Sequence, residues 1–215
     1  MPDTQIDQPQ PLHIGDIAPN FTARTTMGQI SLSDYRGRWL VLFSHPADFT
    51  PVCTTEFVGF SKAAARFAAL DCALLAISVD SLYAHLAWVR AIRDSFGVTV
   101  SFPIIEDPSM VIGRAYGMID VAAADASTMR STFVIDPRGI IRAMTCYPAT
   151  VGRSVDEFLR LVAALQRVDS DTVVTPEGWQ PGDAVLLPPE IDQAAMLATS
   201  DGDAWFHRVA PGSPT

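Results

Sequence analysis

Long apolar runs are missing from this sequence. No stretch approaches the roughly 20 residues that a membrane helix needs, and the opening MPDTQIDQPQPLHIGD has neither the basic nor the apolar region of a secretory signal. A cytoplasmic chain with no membrane partner is expected. Basic charge is scarce as well: 15 Lys and Arg stand against 24 Asp and Glu, a formal net charge of -9. A field of that sign repels phosphate backbones, which argues against nucleic acid as a partner. Cysteine is sparse, and Cys53, Cys72 and Cys146 include no pair at C-x-x-C spacing. This excludes a disulfide framework, a zinc ribbon and a dithiol redox motif. His13, His45, His85 and His207 form no H-x-x-x-H pair, so a metal site would need folding to bring distant residues together, and none is expected. G-x-G-x-x-G, G-x-x-x-x-G-K and G-x-S-x-G are all absent, which removes support for a nucleotide cofactor or a serine-hydrolase elbow. What remains is chemistry done by side chains without a cofactor.

With 48% hydrophobic and 18% charged residues over 215 positions, the chain has the material for a full core. Residues 39–43, WLVLF, read as a strand buried on both faces, and residues 72–79, CALLAISV, as a second. Between them Phe57, Phe60, Ala63, Ala64 and Phe67 recur at helical spacing from Pro51 onward. Asp80 or Ser81 caps a helix through Leu82, Leu86, Val89 and Ile92 that Gly97 ends. A short strand at 102–105, a short helix after Asp107-Pro108, a hairpin around Asp136-Pro137-Arg138-Gly139 and a helix over 154–167 complete the pattern. Phe67, Tyr83 and Trp88 read as core aromatics. The fold class is α/β, a mixed central sheet flanked by helices. Residues 1–168 form the main domain. Residues 169–215, rich in proline and glycine with isolated Trp179 and Trp205, read as an arm that buries those tryptophans and ends flexibly.

The most informative stretch is FSHPADFTPVCTTE, residues 43–56. With Thr50 at the N-cap, its hydroxyl oxygen accepting from a first-turn amide, Pro51 takes the first helical position, where proline loses nothing. Cys53 then lies in the first turn, where unpaired N–H groups and the positive end of the helix dipole favour an anion. Free cysteines are more often buried hydrophobes, and Cys72 reads as one. Acidity alone does not make a fast nucleophile. Lowering a thiol pKa from about 8.5 to about 6 raises the thiolate fraction about 30-fold but reduces intrinsic nucleophilicity about tenfold. A fast cysteine here also needs donors that hold and polarise its electrophile, an arginine among them.

The string Pro46-x-x-x-Thr50-x-x-Cys53 in SHPADFTPVCTTE resembles the active-site signature of the peroxiredoxins. Further likenesses run from PLHIGDIAPNFTA through VIDPRGIIR and YPATVGRSVDEFLR to TPEGWQPGDAVLLPP, and they resemble the one-cysteine, peroxiredoxin 6-like branch. The resemblance implies a thioredoxin-like fold with a C-terminal arm used in dimers, so a homodimer or larger homo-oligomer. It implies that Cys53 attacks a hydroperoxide to give a sulfenic acid, that Thr50 bonds the peroxide or thiolate, and that Pro46 shields the pocket. Arg130 matches the arginine that holds the thiolate, Arg153 a second arginine, Glu56 the glutamate that orients an arginine fork, and His45 a pocket histidine. Read alone, Thr50 is an N-cap, Pro46 a strand terminator, Glu56 a solvated helix residue, and Arg130 and Arg153 surface charges. No cysteine follows Cys146, so an external thiol reductant is expected unless Cys72 or Cys146 reaches Cys53. Arg38 stands where some relatives carry a lipase serine, so phospholipase activity is not carried over. Two other readings stay open: a disulfide reductase, weakened by the missing C-x-x-C, and a redox-regulated peroxide sensor or holdase chaperone.

Overall fold

The fold was obtained as a computed structural model, which describes residues 11–119, 128–198 and 205–212. The chain divides into two compact units, Met1–Val155 and Asp156–Thr215.

The first unit is built on a seven-stranded sheet in the order β2-β1-β5-β4-β3-β6-β7. Its strands are β1 (Thr22–Thr25), β2 (Gly28–Ser31), β3 (Trp39–Ser44), β4 (Cys72–Ser78), β5 (Ile104–Glu106), β6 (Arg130–Ile135) and β7 (Ile141–Tyr147). Strands β3, β4 and β5 run parallel, and the remaining pairings are antiparallel, which makes the sheet mixed as expected. The parallel strands are joined by α1 (Pro51–Ala69) and α2 (Leu82–Phe96), and α3 (Val111–Ala115) follows β5. Strand alternation divides the core in two. Leu40, Leu42, Leu75, Ile77, Phe133 and Ile135 face one side with Tyr35 and Tyr116. On the other side Phe43 stacks on Phe60 at 4.4 Å, and Phe57 packs against Trp88 at 4.5 Å. The catalytic cysteine candidate belongs to this second face.

The helix boundaries follow local chemistry. Ser81 accepts from the Ala84 amide at the start of α2, and Gly97 ends it in the left-handed region at φ 65°. In the β6–β7 hairpin the Asp136 carboxylate accepts from the amides of Arg138 and Ile140, closing the turn read from the sequence. Phe67 and Trp88 are buried as expected, whereas Tyr83 is 79% exposed. It precedes buried His85 and Trp88 on α2 but lies on the solvent side of the stripe they make.

The second unit contains most of α4 (Val155–Ser170), then β8 (Val185–Leu187), α5 (Gln193–Leu197) and β9 (Arg208–Ala210). The division falls one residue into α4, ahead of the expected 168/169, and α4 is bonded to the segment after it. Arg160 Nη1 donates to the Trp179 carbonyl and Arg167 Nη1 to Asp171. Trp179 is buried and its indole N–H donates to the Asp183 carbonyl at 3.1 Å, while Trp205 is 39% exposed. Strand β9 pairs antiparallel with β8 inside the segment expected to end flexibly; residues 199–204 and 213–215 of that segment lie outside the described residues.

Candidate active site

Strand β3 ends at Ser44, whose hydroxyl accepts from the Ser131 amide and donates to the Met129 carbonyl, tying the end of β3 to the start of β6. The chain then turns through residues 45–50 into α1. Thr50 is the N-cap, in extended conformation, and Pro51 opens the helix, as the spacing predicts. The Thr50 hydroxyl departs from expectation. It makes no cap bond to the first turn and instead donates to the Ala47 carbonyl at 2.8 Å. The tight loop is the physical reason: Phe49 sits at φ 57°, which brings the Ala47 carbonyl back over Thr50 within reach of its hydroxyl. The first-turn amides around Cys53 are thus left uncapped by that side chain. Pro46 is half-buried at the loop entrance.

Cys53 has 0% exposure. Arg130, the first residue of β6, donates from Nη1 to Cys53 Sγ at 3.3 Å and to Glu56 Oε2 at 2.8 Å. Its Nε and Nη2 both donate to the Ala149 carbonyl, at 3.0 and 2.7 Å, so the guanidinium plane cannot swing. Glu56 lies one helical turn after Cys53, on the same side of α1. It receives Arg153 through a fork, Nε to Oε1 at 2.9 Å and Nη2 to Oε2 at 2.8 Å, with the Arg153 amide adding 2.8 Å to Oε1. Arg153 Nη1 continues to the Ser131 carbonyl and Thr132 Oγ1, and its guanidinium lies over the Phe43 ring at 5.2 Å. The plain readings of Glu56, Arg130 and Arg153 as solvent-facing charges are therefore overturned: all three are buried, and Glu56 pairs with both arginines. Burial pushes the Glu56 carboxyl up, but the Arg153 bonds and the Arg130 charge outweigh it and hold the group below its usual range. Removing one member of such a buried set costs about 3–5 kcal/mol, because a charge is left uncompensated.

His45 is also fully buried, wedged edge-on against Phe57 and tilted over Trp88. Its Nε2 lies 2.9 Å from Asp48 Oδ1, while Asp48 Oδ2 lies 2.7 Å from His85 Nδ1. Folding thus brings together two histidines that sequence spacing keeps apart. Ligand atoms of His45, Asp48 and His85 lie within 4.8 Å of one another, and each imidazole is held at hydrogen-bond distance by its own carboxylate oxygen. Asp48 and His85 were not legible as site residues: each is an ordinary loop or helix polar residue until β4 and β5 set α2 beside the loop.

The other two sulfurs stand apart from Cys53. Cys72 pairs with Trp39 at the start of β3, whereas the Cys53 loop leaves from the far end, about 17 Å away at about 3.3 Å per residue. Burial pushes the Cys72 thiol up to about 12. Cys146 pairs across from Ser131 and is exposed. Arg130 and Thr132, which serve the Cys53 side, alternate with Ser131 and so point to the opposite face of the sheet from Cys146.

The AhpC/TSA family model matches residues 14–144, and that of the C-terminal domain of 1-Cys peroxiredoxin matches residues 164–199. Peroxiredoxin 2 of Picrophilus torridus is 46% identical over 198 residues, covering 91% of this chain and 98% of its own. Among solved structures, a yeast mitochondrial 1-Cys peroxiredoxin, whose thiol resolving mechanism runs via glutathione/thioredoxin systems, superposes with a TM-score of 0.84 at 40% identity, covering 94% of this chain and all 100% of its own. A cysteine-to-serine mutant of peroxiredoxin 6 of Arenicola marina superposes with a TM-score of 0.83 at 32% identity, covering 95% of this chain and 100% of its own. These likenesses confirm the thioredoxin-like fold. With a single cysteine beside the buried arginine and the other two at the far end and on the far face of the sheet, the chain belongs to the peroxiredoxins, and within them to the 1-Cys type.

Proposed function

We propose that Cys53 carries the thiol-dependent peroxidase chemistry of this family, with Arg130 as the group that holds the thiolate and polarises the peroxide. The observation that supports it most is the Arg130 Nη1 contact with Cys53 Sγ at 3.3 Å, in a guanidinium fixed by Ala149 and Glu56. The Cys53 thiolate attacks the terminal oxygen of a hydroperoxide; an S–O bond forms as the O–O bond breaks. The sulfur loses two electrons, and the departing hydroxide or alkoxide takes a proton to leave as water or alcohol. Donors aimed at the atom that gains charge lower the barrier. Uncapped first-turn amides of α1 and the Arg130 fork are suited to that work, and Thr50 needs only to turn its hydroxyl from Ala47 to bond the substrate. Arg153 and Glu56 position Arg130, Pro46 limits water, and His45 lines the buried side. Phe49, Thr54, Trp88 and Phe96 line a groove beside Thr50 that suits an alkyl group as well as hydrogen peroxide.

Return to the thiol takes two external thiols: the first attacks the sulfenic sulfur and expels water, and the second displaces Cys53 from the mixed disulfide. Glutathione and thioredoxin-type thiols, the systems linked to the yeast relative, are the candidates here. Three unpaired cysteines suit a reducing compartment, and we place the protein in the cytoplasm. Among the described residues no helix is long and apolar enough to cross a membrane.

The Cys53→Ser variant should lose all peroxide consumption while keeping the wild-type circular dichroism. Retained turnover would remove the assignment. Exposed Ile191, Leu197, Phe206 and Val209 in the C-terminal unit support its reading as a dimer-forming arm. Light scattering at micromolar concentration should give twice the chain mass of 23.2 kDa or a multiple of that, and a monomer mass would end the dimer reading.

A further inference from the structure

The proposed peroxidase cycle assigns no proton or electron step to a buried chain of three titratable groups, His45, Asp48 and His85. The hydrogen of His45 can be placed from the geometry. His85 Nε2 lies 3.2 Å from the Ile105 carbonyl oxygen. Its Nδ1 meets Asp48 Oδ2 at 2.7 Å, and Asp48 Oδ1 meets His45 Nε2 at 2.9 Å. An ionised carboxylate only accepts. Burial pushes the Asp48 carboxyl up, yet the hydrogen bonds from both imidazoles outweigh it and keep the group below its usual range. His45 then carries its hydrogen on Nε2. Asp80 adds a second acceptor behind the loop, its Oδ2 taking the Asp48 amide at 3.0 Å and the Ser78 hydroxyl at 2.8 Å.

One nitrogen is left over. His45 Nδ1 is buried and has no hydrogen-bond partner among the described residues. The ring carrying it lies 4.9 Å from Phe57, which shares a face of α1 with Cys53 one turn earlier. We propose that Asp48 and His85 are positioning residues that lock His45 in its Nε2–H tautomer, so that its bare Nδ1 is held as a buried acceptor against the helix face bearing Cys53. A carboxylate that fixes an imidazole tautomer through one ring nitrogen governs what the other nitrogen can accept. His85 acts on the carboxylate itself. By satisfying the second Asp48 oxygen it keeps the group anionic and stops it turning to another partner. The service this acceptor gives to turnover rests on the peroxidase reading; the tautomer does not.

The test is nitrogen-15 NMR of the reduced full-length protein labelled at histidine, near neutral pH, with signals assigned through single His→Gln variants. His45 should show hydrogen on Nε2 and a bare Nδ1. Hydrogen on His45 Nδ1 overturns the proposal without touching the role of Cys53. In Asp48→Asn the amide nitrogen can donate to His45 Nε2, so the tautomer should invert. The rate of Cys53 oxidation by hydrogen peroxide should then fall about tenfold or more, while its alkylation by iodoacetamide changes much less. An inverted tautomer with an unchanged oxidation rate overturns the functional half. Should Asp48→Asn fail to fold, the wild-type spectrum decides alone.

Discussion

Arg130 meets Cys53 and Glu56 through a single nitrogen while its other donors are fixed on Ala149, so its position is set by three neighbours at once. Arg130→Ala should reduce the rate of peroxide attack about 100-fold, the usual loss for a donor to developing charge, with a much smaller change in iodoacetamide alkylation. Equal losses in both, measured by stopped-flow and by mass spectrometry, would mean that Arg130 only promotes thiolate formation. Glu56 keeps its Arg153 fork in that variant, so the fold should survive. Cys53 and Thr50 were legible in the sequence because proline and capping rules act over a few residues. The burial of Glu56 was not: its partner Arg153 is 97 residues away, and only the closed sheet brings the two together.

Among the elements, α2 shows how little a correct boundary depends on the rest of the fold. Ser81 caps its start and Gly97 closes it at φ 65°, with nothing within 4 Å of where a Cβ would sit. Gly97→Ala should therefore cost about 1 kcal/mol through backbone strain alone, read as a lower urea midpoint with unchanged peroxidase rate. A larger loss would point to a packing role that the open space denies. The strongly apolar strands β3 and β4 were plain in the sequence for a similar reason: buried on both faces, they need no partner to be recognised. The β1–β2 hairpin gave no such signal. Its four-residue strands, TART and GQIS, lie at one edge of the sheet and are half polar, so pairing and not composition makes them strands. The same holds for β9, which exists through its pairing with β8.

For the whole molecule, buried charge makes stability depend on acidity. Burial keeps the His45 imidazole below its usual range despite the opposing Asp48 bond, so the unfolded chain takes up a proton first. Stability should begin to fall as pH drops below about 6.5. Asp48 and Glu56 are also held low, by their histidine and arginine partners against burial, and their contribution is present above about pH 4.5 and lost as pH falls through their folded values. Urea midpoints at pH 7.5, 5.5 and 4 should descend in that order, the last step being the steepest. A midpoint that rises on acidification would contradict the assigned charge states.

The complete covering of Cys53 makes the protein a turnstile between its two co-substrates. On the proposed assignment, a peroxide brings only two oxygens to the sulfur held beside Arg130. A thiol borne on a peptide or on another protein is far too bulky to reach it there. On the Cys53 assignment proposed above, the oxidised sulfur is expected to swing outward between the half-reactions, and the opening turn of α1, whose amides no Thr50 side chain fastens, is the place for it to yield. Crowding the medium with viscogens should accordingly slow recovery more than it slows peroxide capture.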